Sequence, residues 1–142
     1  MKIDKQKNNI LVKIADEVVA ADTDLCIDGK VNSSYNGQIS ALGVMIAMVG
    51  LNPALCLYNQ EGSTNVPRRN ILSALAKIIA ADREFRQELK SRFADLGDNF
   101  NREELYTRVV HSEGDESRMF KTEILNCIVA LKQVVRTYLP KE

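Results

Sequence analysis

The sequence predicts an all-α fold, a compact single-domain bundle of about six helices spanning residues 1–142. Apolar residues recur at spacings of three, four and seven, the period of a helix with one buried face. No stretch alternates like a strand beyond four residues, and no repeat at solenoid spacing is present. Only three prolines and seven glycines interrupt the chain, and 45% of it is hydrophobic, which excludes a disordered tail or a low-complexity linker. A chain of this length buries about 68–70% of its unfolded surface. With no tryptophan and 6% aromatic residues, that core is built from Ala, Ile, Leu and Val.

The first helix, from about residue 4 to 21, is marked by Ile3, Ile10, Leu11, Ile14, Val18 and Val19. Lys2, Lys5, Lys7 and Lys13 are spread around its wheel and read as a solvated face. Residues 22–34 are a polar connection containing Asp28-Gly29, with Ser33 or Ser34 as the cap of the second helix. Residues 35–58, YNGQISALGVMIAMVGLNPALCLY, lie in a charge-free interval between Lys30 and Glu61. The unbroken apolar run, 41–51, is eleven residues, whereas a bilayer needs roughly 20. Gly50 suits a left-handed C-cap, Asn52 an N-cap and Pro53 the first position of a short third helix ending at Tyr58. The interval therefore reads as the centre of a helical domain and not as a membrane span.

Residues 59–66 form a second loop, expected to be the most mobile connection. Pro67 then opens a helix carrying Ile71, Leu72, Leu75, Ile78 and Ile79. Asp82 caps or bends its continuation, which takes Phe85, Leu89 and Phe93 to a stop near Gly97. Asn101 caps the next helix, with Glu104 placed for a capping box and Leu105, Tyr106, Val109 and Val110 as the buried side. Residues 112–116 are a turn whose acids Glu113, Asp115 and Glu116 offset the next helix dipole. A long last helix runs from about 116 to 139, stopped by Pro140.

On the last helix, with Arg118 set at zero and about 100° per residue, Phe120, Ile124, Cys127, Ile128, Leu131, Val134, Val135 and Tyr138 fall between about 160° and 280°. Lys121 and Lys132 lie near 300–320° and Arg118 and Arg136 near 0°, so four cations share a strip of about 60° beside the core face. Glu116 and Glu123 fall on the opposite flank. Such a row can follow a phosphate backbone. It can equally solvate a surface or pair with acids of a neighbouring helix, such as Asp95 or Glu103. Arg68 and Arg69 sit at a helix start, where cations oppose the dipole and welcome an external anion or a nearby carboxylate.

Catalytic chemistry is not expected. His111 is the only histidine and has no second ligand at zinc spacing and no nucleophile in a recognisable elbow. Asp95, Asp98 and Glu103 miss the calcium-loop pattern, because its twelfth position is Tyr106. No glycine-rich phosphate loop is present, so neither a metal nor a cofactor is expected. Cys26, Cys56 and Cys127 form no C-x-x-C pair and sit among apolar neighbours, which predicts reduced, mostly buried thiols. The N-terminus lacks the apolar core of a signal peptide, and a cytoplasmic protein is expected. Nineteen basic and nineteen acidic residues give zero net charge, so any nucleic-acid contact has to be a local patch.

Tyr35, the small-residue helix GQISALGVMIA and the following Gly-Leu-x-Pro-Ala with its apolar-aromatic end form one distinctive block. A second is EILNCIVALKQVVRTY, residues 123–138, and between them Arg68-Arg69-x-Ile-Leu starts a helix. Together they resemble the small subunit of the type III-B CRISPR–Cas effector (Cmr) complex. The resemblance implies a non-catalytic protein of antiviral defence. Several copies would stack as a minor filament beside the guide-RNA-bound backbone subunits and help to hold the target strand. The partners implied are the backbone and large subunits, further copies of the chain, and the guide–target RNA duplex through its backbone. Lys132 and Arg136 lie inside the second block and are the first candidates for RNA contact; Arg118 and Lys121 follow, then Arg68 and Arg69. The rival reading is a soluble helical adaptor that binds a partner helix in an apolar groove, without nucleic acid.

Overall fold

The computed structural model describes residues 4–60 and 66–141. Lys2 and Ile3 of the expected first helix, and most of the expected loop 59–66, lie outside the described residues. Helix α1 (Lys5–Ala21) starts at Asp4, whose side chain accepts from the amides of Gln6 and Lys7, and it buries Leu11, Ala15 and Val19. Ile10, expected on the buried stripe, is largely exposed.

The connection after α1 is more ordered than its polar composition predicts. Strands β1 (Cys26–Ile27) and β2 (Lys30–Asn32) pair antiparallel across Asp28-Gly29. Both turn residues have positive φ, 55° and 72°, the conformation of a two-residue hairpin turn that Asp-Gly favours. Strand β3 (Leu139–Lys141) adds to β2 in parallel, giving the order β1-β2-β3. Pro140 therefore does not merely stop the last helix. It sits in an edge strand opposite Val31, where a missing N–H is tolerated.

Helix α2 (Ser33–Val49) is capped by Asn32, which accepts from the Ser34 amide at 2.8 Å. Neither Ser33 nor Ser34 is the cap, because β2 runs straight into the helix and Asn32 is its last non-helical residue. Gly50, at φ 97°, ends α2 and also begins α3 (Leu51–Asn59). Asn52 and Pro53 are thus inside the first turn of α3, and the Asn52 amide instead reaches the carbonyl of Val110 at 3.4 Å.

Pro67 is the cap position before α4 (Arg68–Ala81), and Asp82 divides α4 from α5 (Arg83–Arg92), which stops at Phe93. That division makes seven helices among the described residues where about six were expected. Helix α6 (Arg102–Val110) is capped by Asn101, which accepts from the Glu104 amide at 2.9 Å. Leu105 and Val109 are its buried residues, while Tyr106 and Val110 are half-buried. Helix α7 (Gly114–Val135) is shorter at its end than the sequence predicts.

The most enclosed helix is α4, which buries Ile71, Leu72, Ala74, Leu75, Ala76, Ile78 and Ile79. Helix α2 lies beside it: Tyr58 of α3 donates to the Gln38 carbonyl at 2.7 Å, and Asn70 of α4 donates to the Tyr35 hydroxyl at 2.8 Å. Phe120 of α7 closes the far end between Phe85 and Phe93, with ring centroids 5.9 and 6.3 Å apart. Among the described residues no helix is long and apolar enough to cross a membrane.

Candidate nucleic-acid interface

The last helix sinks the face that its period predicts. Phe120, Ile124, Cys127, Ile128, Leu131, Val134 and Val135 are buried, and Tyr138 is half-buried beyond the helix end. The buried arc is wider than the apolar one on one side, because Ala130 and Glu123 are enclosed as well. Glu123 lies at about 140° on the same wheel, only about 20° outside the apolar stripe. It thus lies on the flank opposite the cations, as its position on the wheel predicts, but buried. On the other side, α2 packs against Ile128: a methyl group on Gly43 would stand 3.7 Å from its Cγ2. Lys121 and Lys132 come next round the helix from Ile128 and border the open arc.

Within that arc Lys121 and Arg136 are exposed and Lys132 is half-buried. None of the three has an ion-pair partner or a side-chain hydrogen bond among the described residues. The two acids that offered a neutralising alternative are engaged elsewhere. Asp95 lies 3.0 Å from Arg108, whose hydrogen bond holds that carboxyl below its ordinary range, and Glu103 lies 3.9 Å from Arg102. Arg108 is further fixed by Glu104 at 2.7 Å and by the Phe93 ring, 4.8 Å away.

Arg118 differs from its three companions. It bonds Asp115, one turn earlier, and both side chains are exposed. Exposed pairs of this kind contribute about 0–1 kcal/mol, so a phosphate can compete for the guanidinium. Along the axis Lys132 and Arg136 are about 6 Å apart, and Lys121 is about 16 Å from Lys132.

Arg136 caps α7 and borders a groove of about 290 Å³ that Asn32, Ser33, Asn36 and Tyr138 also line. This brings the start of α2 against the end of α7. The sequence gives no sign of it, since the juxtaposition depends on β2 and β3 pairing across more than a hundred residues.

Arg68 and Arg69 are half-buried and occupied. Arg68 donates from Nε to the Gln38 side-chain oxygen at 3.2 Å and stacks 5.4 Å above the Tyr58 ring. Arg69 donates from Nε to the Asn59 carbonyl at 2.7 Å. Both tie the start of α4 to its neighbours, Arg68 through a side-chain amide oxygen and Arg69 through a backbone carbonyl.

Lys7 also departs from the solvated-face reading. Its ammonium bonds Asp82 and lies 2.9 Å from Glu123. The thiols are less uniformly buried than expected: Cys127 is buried, Cys26 half-buried and Cys56 exposed.

The model of the family described as CRISPR-associated protein (Cas_Cmr5) matches residues 7–138. Comparison with curated proteins and with solved structures gives no match. The matched span holds all seven helices except the first two residues of α1, and the whole cationic strip.

Proposed function

Because this chain belongs to the CRISPR-associated Cmr5 family, the small subunits of type III-B Cmr effector complexes, we propose that it is a non-catalytic, RNA-contacting subunit acting in antiviral defence in the cytoplasm. Copies stack side by side in a minor filament next to the backbone subunits. Lys132, Arg136 and Lys121 then follow the phosphate backbone of the guide–target duplex, with Arg118 joining once it releases Asp115. The observation that carries this reading is the row Lys121, Lys132 and Arg136 along α7, which has no ion-pair partner among the described residues although the chain has as many acids as bases. Such contacts position a duplex and read no bases. With zero net charge, affinity for free RNA is weak, and useful binding needs the neighbouring subunits.

An apolar outer face on α2, with Val44, Met48 and Val49 exposed, supports contact with neighbouring subunits. It is also the observation that favours the adaptor reading, in which protein contact is the whole function. The decisive experiment reconstitutes the complex with Lys132→Glu and Arg136→Glu together. Target capture should fall at least tenfold and lose about two units of its salt slope, with the helical content of the chain unchanged. Undiminished capture by a complex that contains the double variant would favour the adaptor.

A further inference from the structure

We propose that Glu123 is a carboxylic acid, not a carboxylate, in the folded protein at neutral pH, and that its proton makes the Lys7–Asp82–Glu123 cluster a pH-sensitive lock joining α1, the α4–α5 corner and α7. The charges do not balance otherwise. One ammonium faces two carboxyl groups whose side chains are only 3% and 4% exposed, and Lys7 itself is 16% exposed. With both acids ionised, the cluster would bury a net negative charge, which is strongly disfavoured in a poorly solvated site. The two carboxyls are also unequally served. Asp82 takes the Lys7 ammonium through Oδ2, whereas Glu123 offers it Oε1 and leaves Oε2 buried with no partner. As a neutral acid Glu123 can donate its proton to the neighbouring Asp82 carboxylate, whereas as an anion it would face that carboxylate with no proton between them.

Among the described residues the surroundings supply no second positive charge. From α1 the titratable group facing Glu123 is Lys7. From the α4–α5 corner it is Asp82, with Arg83 and Glu84 exposed on the rim of an adjoining cavity of about 390 Å³. On α7 itself the next turn presents Cys127, whose thiol burial and the two nearby carboxyls hold well above its ordinary range. Burial, and then the adjacent Asp82, push the Glu123 carboxyl up to about 8 against the pull of Lys7. For Asp82, burial alone would act in the same direction, but the adjoining Glu123 carboxyl and Lys7 outweigh it and hold the group low. The proton therefore resides on Glu123.

The sign of the pH effect follows. An unfolded Glu123 titrates at its ordinary 4.5 and the folded one near 8, so between these values the folded state holds the extra proton. The stabilisation is complete below 4.5 and is lost as pH rises to about 8. Glu123 lies across α7 from Lys121 and Lys132, so the lock also sets the rotation at which α7 presents its cations.

Two measurements on the full chain test this. Carbon-detected NMR of the wild-type side-chain carboxyls should show Glu123 titrating near pH 8. Denaturant unfolding at intervals from pH 5 to 8 should show the wild-type folding constant falling, relative to Glu123→Gln, by as much as about tenfold per pH unit. A Glu123 carboxyl that titrates near pH 4–5, or parallel stability curves for the two proteins, would overturn the proposal. Should the variant not fold, the wild-type titration alone decides.

Discussion

Helices α2 and α7 invert the usual relation between composition and burial. Helix α2 has no charged residue in its seventeen positions, yet it buries only Tyr35, Ile39, Leu42 and Ile46 and leaves Val44 57% and Met48 78% exposed. Helix α7 carries Asp115, Glu116, Arg118, Lys121, Glu123 and Lys132, yet it buries nine residues, one of them a carboxyl group. What separates them is the number of flanks that are covered. Helices α1, α2 and α4 all pack on α7, so even the margin of its apolar stripe is enclosed. Helix α2 meets α3 and α7 mainly on one side, and its outer line Gly37, Ala41, Val44 and Met48 is exposed, without cover among the described residues. An apolar composition licenses burial but does not supply the neighbour. Under the function proposed above, this is the face assigned to a neighbouring subunit.

The contrast can be broken most forcefully in α7. Phe120→Ala should cost about 3–5 kcal/mol, because the ring fills the space between Phe85 and Phe93 and the gap cannot collapse fully. Urea denaturation measures it, and a loss of under about 1 kcal/mol would mean that α7 is not the deeper of the two. The seam between the helices is more forgiving. Gly43→Leu should cost about 1–3 kcal/mol by pushing α2 away from Ile128. Gly43→Ala, whose methyl meets only an ordinary contact there, should be neutral or stabilising by up to about 1 kcal/mol. Smallest of all is the effect of Val44→Asp with Met48→Asp on the isolated chain, within about 0.5 kcal/mol for each site. The same pair should sharply reduce incorporation into the Cmr complex. Full incorporation would remove the role assigned to the outer face of α2.

Much of this architecture is legible in the chain. The spacing of Ile71, Leu72, Leu75, Ile78 and Ile79 reports α4, the left-handed glycine marks the α2–α3 break, and Asn101 caps α6 as its neighbours predict. The hairpin at 26–32 escapes notice because strands of two and three residues carry no measurable period; only Asp28-Gly29 hints at it. Glu123 escapes because an acid at the margin of an apolar stripe looks solvated until a cation from another helix is known to reach it. Lys7 provides that cation from the far end of the chain.

From the sequence alone come the helical class, most helix starts and the sharing of one side of α7 by four cations. These are properties of short windows, set by backbone geometry and capping chemistry within a few turns. Which charges remain available is another matter. Lys7, Arg68, Arg69 and Glu123 are engaged within the fold, whereas Lys121, Lys132 and Arg136 have no partner among the described residues. Only the tertiary structure decides that, because the partner of a charge is whichever residue the packing delivers, as Asp82 reaches Lys7 across 75 positions, and no local pattern encodes so distant a meeting.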